Sequence, residues 1–129
     1  MTTHSVRLAV ASLAVVIAVA AFATSALART QGTPTLYGTV GKNDAYKIML
    51  LNSSGKLVKT LKAGTYNLVI RDDSALHNYE LDGPHGKSWT FTSVGFKGAK
   101  TFKLKLVAGK YKAYCSPHES IMFQHFTVS

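Results

Sequence analysis

The stretch KTFKLKLV, residues 100–107, shows the clearest hydrophobic pattern in the chain. Phe102, Leu104 and Leu106 alternate with Lys103 and Lys105, so one side of an extended segment is apolar and the other is charged. A period of two is typical of a half-buried β-strand and not of a helix. The pattern therefore predicts a strand with one face in a core.

The same period recurs on both sides of this stretch. Apolar residues alternate in TYNLVIR (65–71), in KYKAYC (110–115) and in the last segment, where Gln124, Phe126 and Val128 share a face. Shorter apolar runs occur at TLYGTV, AYKIMLL, KLVKTL and WTFTSV, and turn residues separate the runs at NSSG, DGPHG and VAGK. Seven or eight short strands in about 100 residues predict an antiparallel β-sandwich.

The N-terminal residues have a different composition. Leu8 to Ala28 is apolar or small throughout, follows Arg7, and ends in the small-x-small pattern Ala26-Leu27-Ala28 that a signal peptidase cleaves. We therefore interpret residues 1–28 as a signal peptide, 29–35 as a flexible lead-in and 36–129 as one domain. An uncleaved membrane anchor is the alternative, since about 20 apolar residues can span a bilayer. Either way the domain is exported, to the periplasm, the cell surface or the medium.

The charge is strongly positive. The full chain has a formal net charge of +9, and removal of residues 1–28 with Arg7 leaves +8, mostly from dispersed lysines. Such a surface suits acidic protein partners or an anionic envelope surface, approached through long-range attraction. Export and the lack of an arginine-rich or aromatic-basic motif argue against nucleic acid.

The stretch YCSPHESIM, residues 114–122, contains the only cysteine. An unpaired thiol outside the cell tends to oxidise, so Cys115 is expected to be buried or bound. His118 and Met122 follow in the same loop, and His77 is a second imidazole far upstream. Two imidazoles, a thiolate and a weak axial thioether form the ligand group of a blue-copper site.

Three other roles for Cys115 stay open on the residues alone. It can be a buried structural thiol, because free cysteine is often buried. It can pair with His118 as a nucleophile, although no oxyanion hole or orienting third group is recognisable. It can also bind zinc, although a fourth hard ligand is not obvious and zinc does not use methionine.

The chain resembles the small single-domain cupredoxins of the plastocyanin and azurin type. The resemblance covers nearly all of residues 36–129. It rests on Asp73-Ser74-Ala75 followed by His77-Asn78-Tyr79, and on Tyr114-Cys115-Ser116-Pro117-His118 followed by Met122. It implies a Greek-key β-sandwich holding one type 1 copper ion. The equatorial ligands would be His77, Cys115 and His118, with Met122 axial and Asn78 hydrogen-bonded to Ser116.

Two features depart from the family pattern. Three residues separate His118 from Met122, against four in plastocyanins and two in amicyanins, so the axial distance depends on how this loop closes. Gln124 stands where related chains often have glycine after the methionine.

The resemblance implies a function without enzymatic chemistry. We expect an exported, monomeric protein that transfers single electrons between redox partners, reached through the edge of His118 and an apolar patch at Pro117 and Ile121. A module that delivers, buffers or stores copper without cycling it is the alternative, because it can use the same four residues.

Overall fold

The computed structural model of the protein describes residues 32–129 and Met1. The proposed signal peptide and residues 29–31 of the lead-in lie outside the described residues. Within the described part of the chain, no helix has the length and apolar character needed to cross a membrane.

The described residues form two β-sheets that pack face to face. The first sheet has the strand order β2-β1-β4-β7 and the second has the order β3-β9-β8-β5-β6. The strands are β1 Thr35–Val40, β2 Ile48–Leu51, β3 Thr60–Leu61, β4 Gly64–Asp72, β5 Glu80–Asp82, β6 Ser88–Thr90, β7 Gly98–Leu106, β8 Gly109–Tyr114 and β9 Phe123–Val128. Single 3₁₀ turns occur at Lys42–Asp44, Pro84–Gly86 and Ser116–His118. The prediction of an all-β sandwich is confirmed.

The period-two segments supply the core. Leu68 and Ile70 on β4 are completely buried, and Leu104 and Leu106 on the neighbouring strand β7 are also buried. On β9 the alternation is complete, because Gln124, Phe126 and Val128 are buried while their neighbours are exposed. Alternate side chains of a strand point to opposite faces, which is why this pattern could be read from the sequence.

Two features of the pairing go beyond the sequence prediction. β1 runs parallel to β4, and the two-residue strand β3 runs parallel to β9, so both sheets are mixed. The described residues contain nine strands, one more than the upper number predicted, and two of them are short: β3 in KLVKTL and β6 in WTFTSV.

Gln124 connects the two sheets from a buried position on β9. Its Oε1 accepts a hydrogen bond from the Leu50 N–H at 2.7 Å, and its Nε2 donates to the carbonyl oxygens of Val58 at 2.7 Å and Leu50 at 3.3 Å. A buried amide is stable only where its donors and acceptors are paired. The residue that departs from the family pattern is therefore a structural tie between β2 and β9.

Candidate metal centre

Two connections at one end of the sandwich bring the predicted ligand residues together. His77 lies between β4 and β5, and the segment 115–122 connects β8 to β9. The two connections are close because β5 pairs with β8, so that Glu80 lies opposite Tyr114. Residues 38 positions apart in sequence thus become neighbours.

His77, Cys115 and His118, called the donor trio below, form a group that can hold a metal ion. The two imidazole Nδ1 atoms are 3.1 Å apart, and the cysteine Sγ lies 3.7 Å from Nδ1 of His77 and 3.6 Å from Nδ1 of His118. A point equidistant from the three atoms is about 2.0 Å from each, close to the usual lengths of metal–imidazole and metal–thiolate bonds. The donor atoms therefore have the spacing of a trigonal metal site.

The trio is enclosed by the protein. Cys115 and His77 are fully buried, while His118 is partly exposed and forms the contact with solvent. Within residues 32–129 no aspartate, glutamate or further histidine joins the three. The site thus lacks the fourth hard ligand of a closed zinc centre.

Met122 lies in the core directly after the ligand loop, with 1% of its surface exposed. Main-chain hydrogen bonds close the loop. Cys115 N–H donates to the Met122 carbonyl at 3.1 Å, His118 N–H to the Cys115 carbonyl at 3.0 Å, and Met122 N–H to the His118 carbonyl at 2.8 Å. The three-residue spacing between His118 and Met122 therefore permits a compact turn in which the methionine is buried and its carbonyl is bonded to Cys115.

Asn78 and Ser116 join the two connections directly. The Asn78 Oδ1 accepts a hydrogen bond from the Ser116 N–H at 2.8 Å, and its Nδ2 donates to the Ser116 Oγ at 2.9 Å and to Glu80 Oε1 at 2.7 Å. Each residue lies next to a member of the donor trio. This bridge fixes the distance between His77 and Cys115.

Packing holds the His77 ring on its outer side. Its Nε2 is buried and, among the described residues, has no hydrogen-bond partner. A Cβ added to Gly41 would lie only 2.7 Å from the ring Cδ2, and the φ of Gly41 is +68°, in the region that favours glycine. Tyr46 covers the trio from solvent, with its ring centroid 5.2 Å from that of His77 and 4.7 Å from that of His118. Sequence reasoning missed both Gly41 and Tyr46.

A buried carboxylate supports the His77 connection. Asp72 accepts hydrogen bonds from the Ser74 N–H at 3.2 Å and from the Thr92 hydroxyl at 2.7 Å, and the Thr92 oxygen accepts one from the Tyr79 N–H. Burial raises the pKa of Asp72 above its ordinary value, although these hydrogen bonds oppose the rise. Asp72 is the last residue of β4 and faces inward, where it is fully buried.

The electrostatics of the cysteine favour the neutral thiol in the absence of a cation. Burial raises the pKa of Cys115, while main-chain N–H groups of Asn78 and His118 oppose the rise. A cation bound by the trio would stabilise the thiolate and release the proton. Two imidazole nitrogens converge on one sulfur, which is an arrangement suited to metal ligation.

Solved structures with a similar fold include rusticyanins. No family model and no curated protein matches the chain. Reduced rusticyanin aligns with a TM-score of 0.52 and 14% identity, over 74% of this chain and 78% of that one. A methionine-to-glutamine variant of rusticyanin aligns with a TM-score of 0.52 and 15% identity, over 74% and 76% of the two chains. Rusticyanin from Thiobacillus ferrooxidans gives 0.50 and 16%, with the same coverage.

The chain has the cupredoxin fold. The resemblance predicted from the two sequence motifs is thus confirmed for the architecture. These structures share only 14–16% identity with the chain, so they support the fold alone. The evidence for a metal site is the set of distances within the donor trio.

Proposed function

We propose that this cupredoxin-fold protein is an exported type 1 copper protein that passes single electrons between redox partners. The observation that carries the proposal is the donor trio, whose three atoms have the spacing of a trigonal site. Soft sulfur and imidazole ligands suit copper in both of its common oxidation states. Copper bound there would supply a one-electron couple between Cu(I) and Cu(II).

The residues that would hold the ion are His77, Cys115 and His118, with Met122 as a fourth ligand. Cys115 would release its Sγ proton to solvent when the cation binds. His77 is held by Gly41 and by the buried surroundings, so its Nδ1 stays directed at the sulfur. A fixed donor geometry favours electron transfer because little rearrangement accompanies the change of charge.

We propose His118 as the route to partner proteins. It is the one member of the trio that is not fully buried, and the apolar side chains around it are exposed. Ile121 is 64% exposed and Leu76 is 59% exposed. Pro117, also exposed, lies between Cys115 and His118 in the sequence. Small contact surfaces are typical of transient redox complexes. The net positive charge would steer acidic partners toward the protein at long range.

One experiment tests the proposal. The purified protein is titrated with Cu(II) and its visible absorption and EPR spectra are recorded. We expect an intense thiolate charge-transfer band and a small copper hyperfine splitting, both lost in Cys115→Ser. Replacement of Met122 by Leu should keep the band and shift the potential. If the protein binds copper with an intact thiol and stays colourless, electron transfer by a type 1 site is excluded.

Copper delivery or storage is the alternative that this experiment addresses. A delivery module would favour Cu(I), give a weak band and exchange its metal readily with chelators. The buried cysteine and the hydrogen-bonded bridge between Asn78 and Ser116 support a site that keeps its ion. We therefore place electron transfer first.

A further inference from the structure

Lysines occur at both ends of the sandwich, but the acidic side chains are distributed unevenly along its long axis. β1 and β4 run toward the metal centre, since Val40 pairs with Asp72 at that end, and Gly64 begins β4 at the other. Around this opposite end lies a set of exposed lysines that we call the basic pole. Its members are Lys59, Lys62, Lys103, Lys105 and Lys110.

The strand register places these lysines around one end of the molecule. On β7, Lys105 pairs with Thr65 next to the start of β4. On β8, Lys110 pairs with Thr127, whose N–H donates to the Lys59 carbonyl at 3.0 Å. Because Lys105 extends from the outer face of the first sheet and Lys110 from that of the second, the positive charge surrounds the pole.

Acidic side chains are absent from the basic pole. The chain has six aspartate and glutamate residues, and all belong to the described residues. Five lie in or beside the connections at the metal end, and the sixth is the last residue of β5, opposite Lys112 in the middle of β8; they are Asp44, Asp72, Asp73, Glu80, Glu119 and Asp82.

The chain enters the domain at the same pole. The Asn67 N–H donates to the Pro34 carbonyl at 2.9 Å, and Asn67 pairs with Lys103. Only residues 29–34 separate the apolar stretch Leu8 to Ala28 from β1. Six extended residues span at most about 20 Å. Whenever the apolar stretch lies in a bilayer, the basic pole is therefore close to the membrane surface.

We propose that the basic pole rests on the anionic phospholipid surface of the membrane, so that the metal centre faces away from it. Lysines near an anionic surface each add to its attraction, and the effect decays within a Debye length of about 8 Å at physiological salt. A bilayer suits this charge pattern better than an acidic protein, because the lysines surround an end of the molecule that the sequence joins to an apolar segment. The proposal does not depend on copper.

The test is a lysine footprint of the full chain reconstituted in vesicles. Vesicles of zwitterionic phosphatidylcholine are compared with vesicles containing about 30% phosphatidylglycerol, an acetylating reagent is added, and each lysine is quantified by mass spectrometry. We expect the pole lysines to react at least about fivefold more slowly in the anionic vesicles. Lys42, Lys47 and Lys97, which belong to the metal end, are internal controls and should react equally in both.

A pair of variants separates the effect of the pole lysines from that of the apolar stretch, which both variants retain. Both carry three lysine-to-glutamine changes, one at Lys62, Lys105 and Lys110 and the other at Lys42, Lys47 and Lys97. The pole variant should lose the footprint difference, and the control variant should keep it. High salt should abolish the difference in the wild type.

Two outcomes would overturn the proposal. In the first, pole and control lysines react at the same rates in both vesicle types. In the second, a soluble acidic polymer such as polyglutamate protects the pole while anionic vesicles do not, which would assign the pole to an acidic macromolecule. Because the apo protein suffices, failure here is distinguishable from failure of the copper assignment.

Discussion

Gly41 offers a direct test of how packing positions the metal centre. We consider the substitution Gly41→Ala. The added Cβ would lie 2.5 Å from the Ser74 Cβ and 2.7 Å from the His77 Cδ2, whereas carbon atoms in van der Waals contact are about 3.5–4.0 Å apart. The overlap is therefore close to 1 Å on both sides, and the His77 ring is one of the groups that must move.

The expected loss of stability has two parts. Alanine at a φ of +68° costs about 1–2 kcal/mol in backbone strain. Overpacking in a buried site adds about 1–3 kcal/mol. We expect Gly41→Ala to lower the free energy of unfolding by about 2–5 kcal/mol, measured by urea denaturation of the apo protein.

Gly55 provides a matched control. Its φ is +74°, and a Cβ added there meets no atom within 4 Å. Gly55→Ala should carry only the backbone strain, about 1–2 kcal/mol. It should leave metal binding unchanged, because Gly55 belongs to the turn between β2 and β3, away from the metal centre.

Metal affinity separates the two variants most clearly. Mutation of the groups that position a metal ligand typically lowers the metal affinity by about 10- to 100-fold. Competition with a copper chelator, under conditions where both variants are fully folded, should show this loss for Gly41→Ala alone. If both glycine variants lose equal stability and keep wild-type affinity, the packing of Gly41 against His77 does not position the ligand.

Three further predictions concern the surroundings of the donor trio. Asn78→Ala removes three hydrogen bonds and should cost about 2–4 kcal/mol in unfolding free energy, whereas Ser116→Ala removes one and should cost about 1 kcal/mol; equal costs would contradict a bridging role for Asn78. Tyr46→Ala should accelerate copper removal by a chelator, and Tyr46→Phe should not, because the ring covers His77 and His118; equal rates in all three proteins would show that Tyr46 does not limit access. Burial raises the pKa of Asp72, so the folded state favours the protonated carboxyl group. The resulting stabilisation is complete below the unfolded-state pKa and is lost as pH rises through the folded-state pKa. The unfolding free energy of the apo protein relative to Asp72→Asn should therefore fall across that interval in urea titrations, and a constant difference would contradict the raised pKa.

The sequence predicted which faces of the strands are buried but not which strands are neighbours. Alternation identified Leu68, Ile70 and Leu104 as core residues, because side-chain direction in a strand depends only on local geometry. The parallel pairing of β1 with β4 is a contact between distant segments, and no local period encodes it. The fold class was therefore accessible from the sequence, and the mixed character of the sheets was not.

The donor residues could be predicted from the sequence, whereas the residues packed around them could not. His77, Cys115 and His118 could be proposed because their chemistry is rare in combination, and the structure brings them together. Tyr46 was read as part of the apolar run AYKIMLL, yet β2 begins only at Ile48, and the tyrosine instead contacts histidines 31 and 72 residues away. An aromatic residue in a strand-like run has many packing solutions, so its sequence context does not reveal this contact.

The arrangement of the trio also bears on the choice between electron transfer and copper delivery. Its donor atoms have the spacing needed to bind one metal ion, and the loops that carry them are joined by the Asn78–Ser116 bridge. Such a site would bind an ion with little rearrangement of the protein. Because His118 is the one partly exposed member, electrons and metal would have to pass the same face, beside Tyr46. Electron transfer can occur while the site stays closed, whereas copper delivery requires this face to open. Slow exchange of copper with a chelator, combined with fast oxidation by small reagents, would therefore favour an electron-transfer protein over a delivery protein.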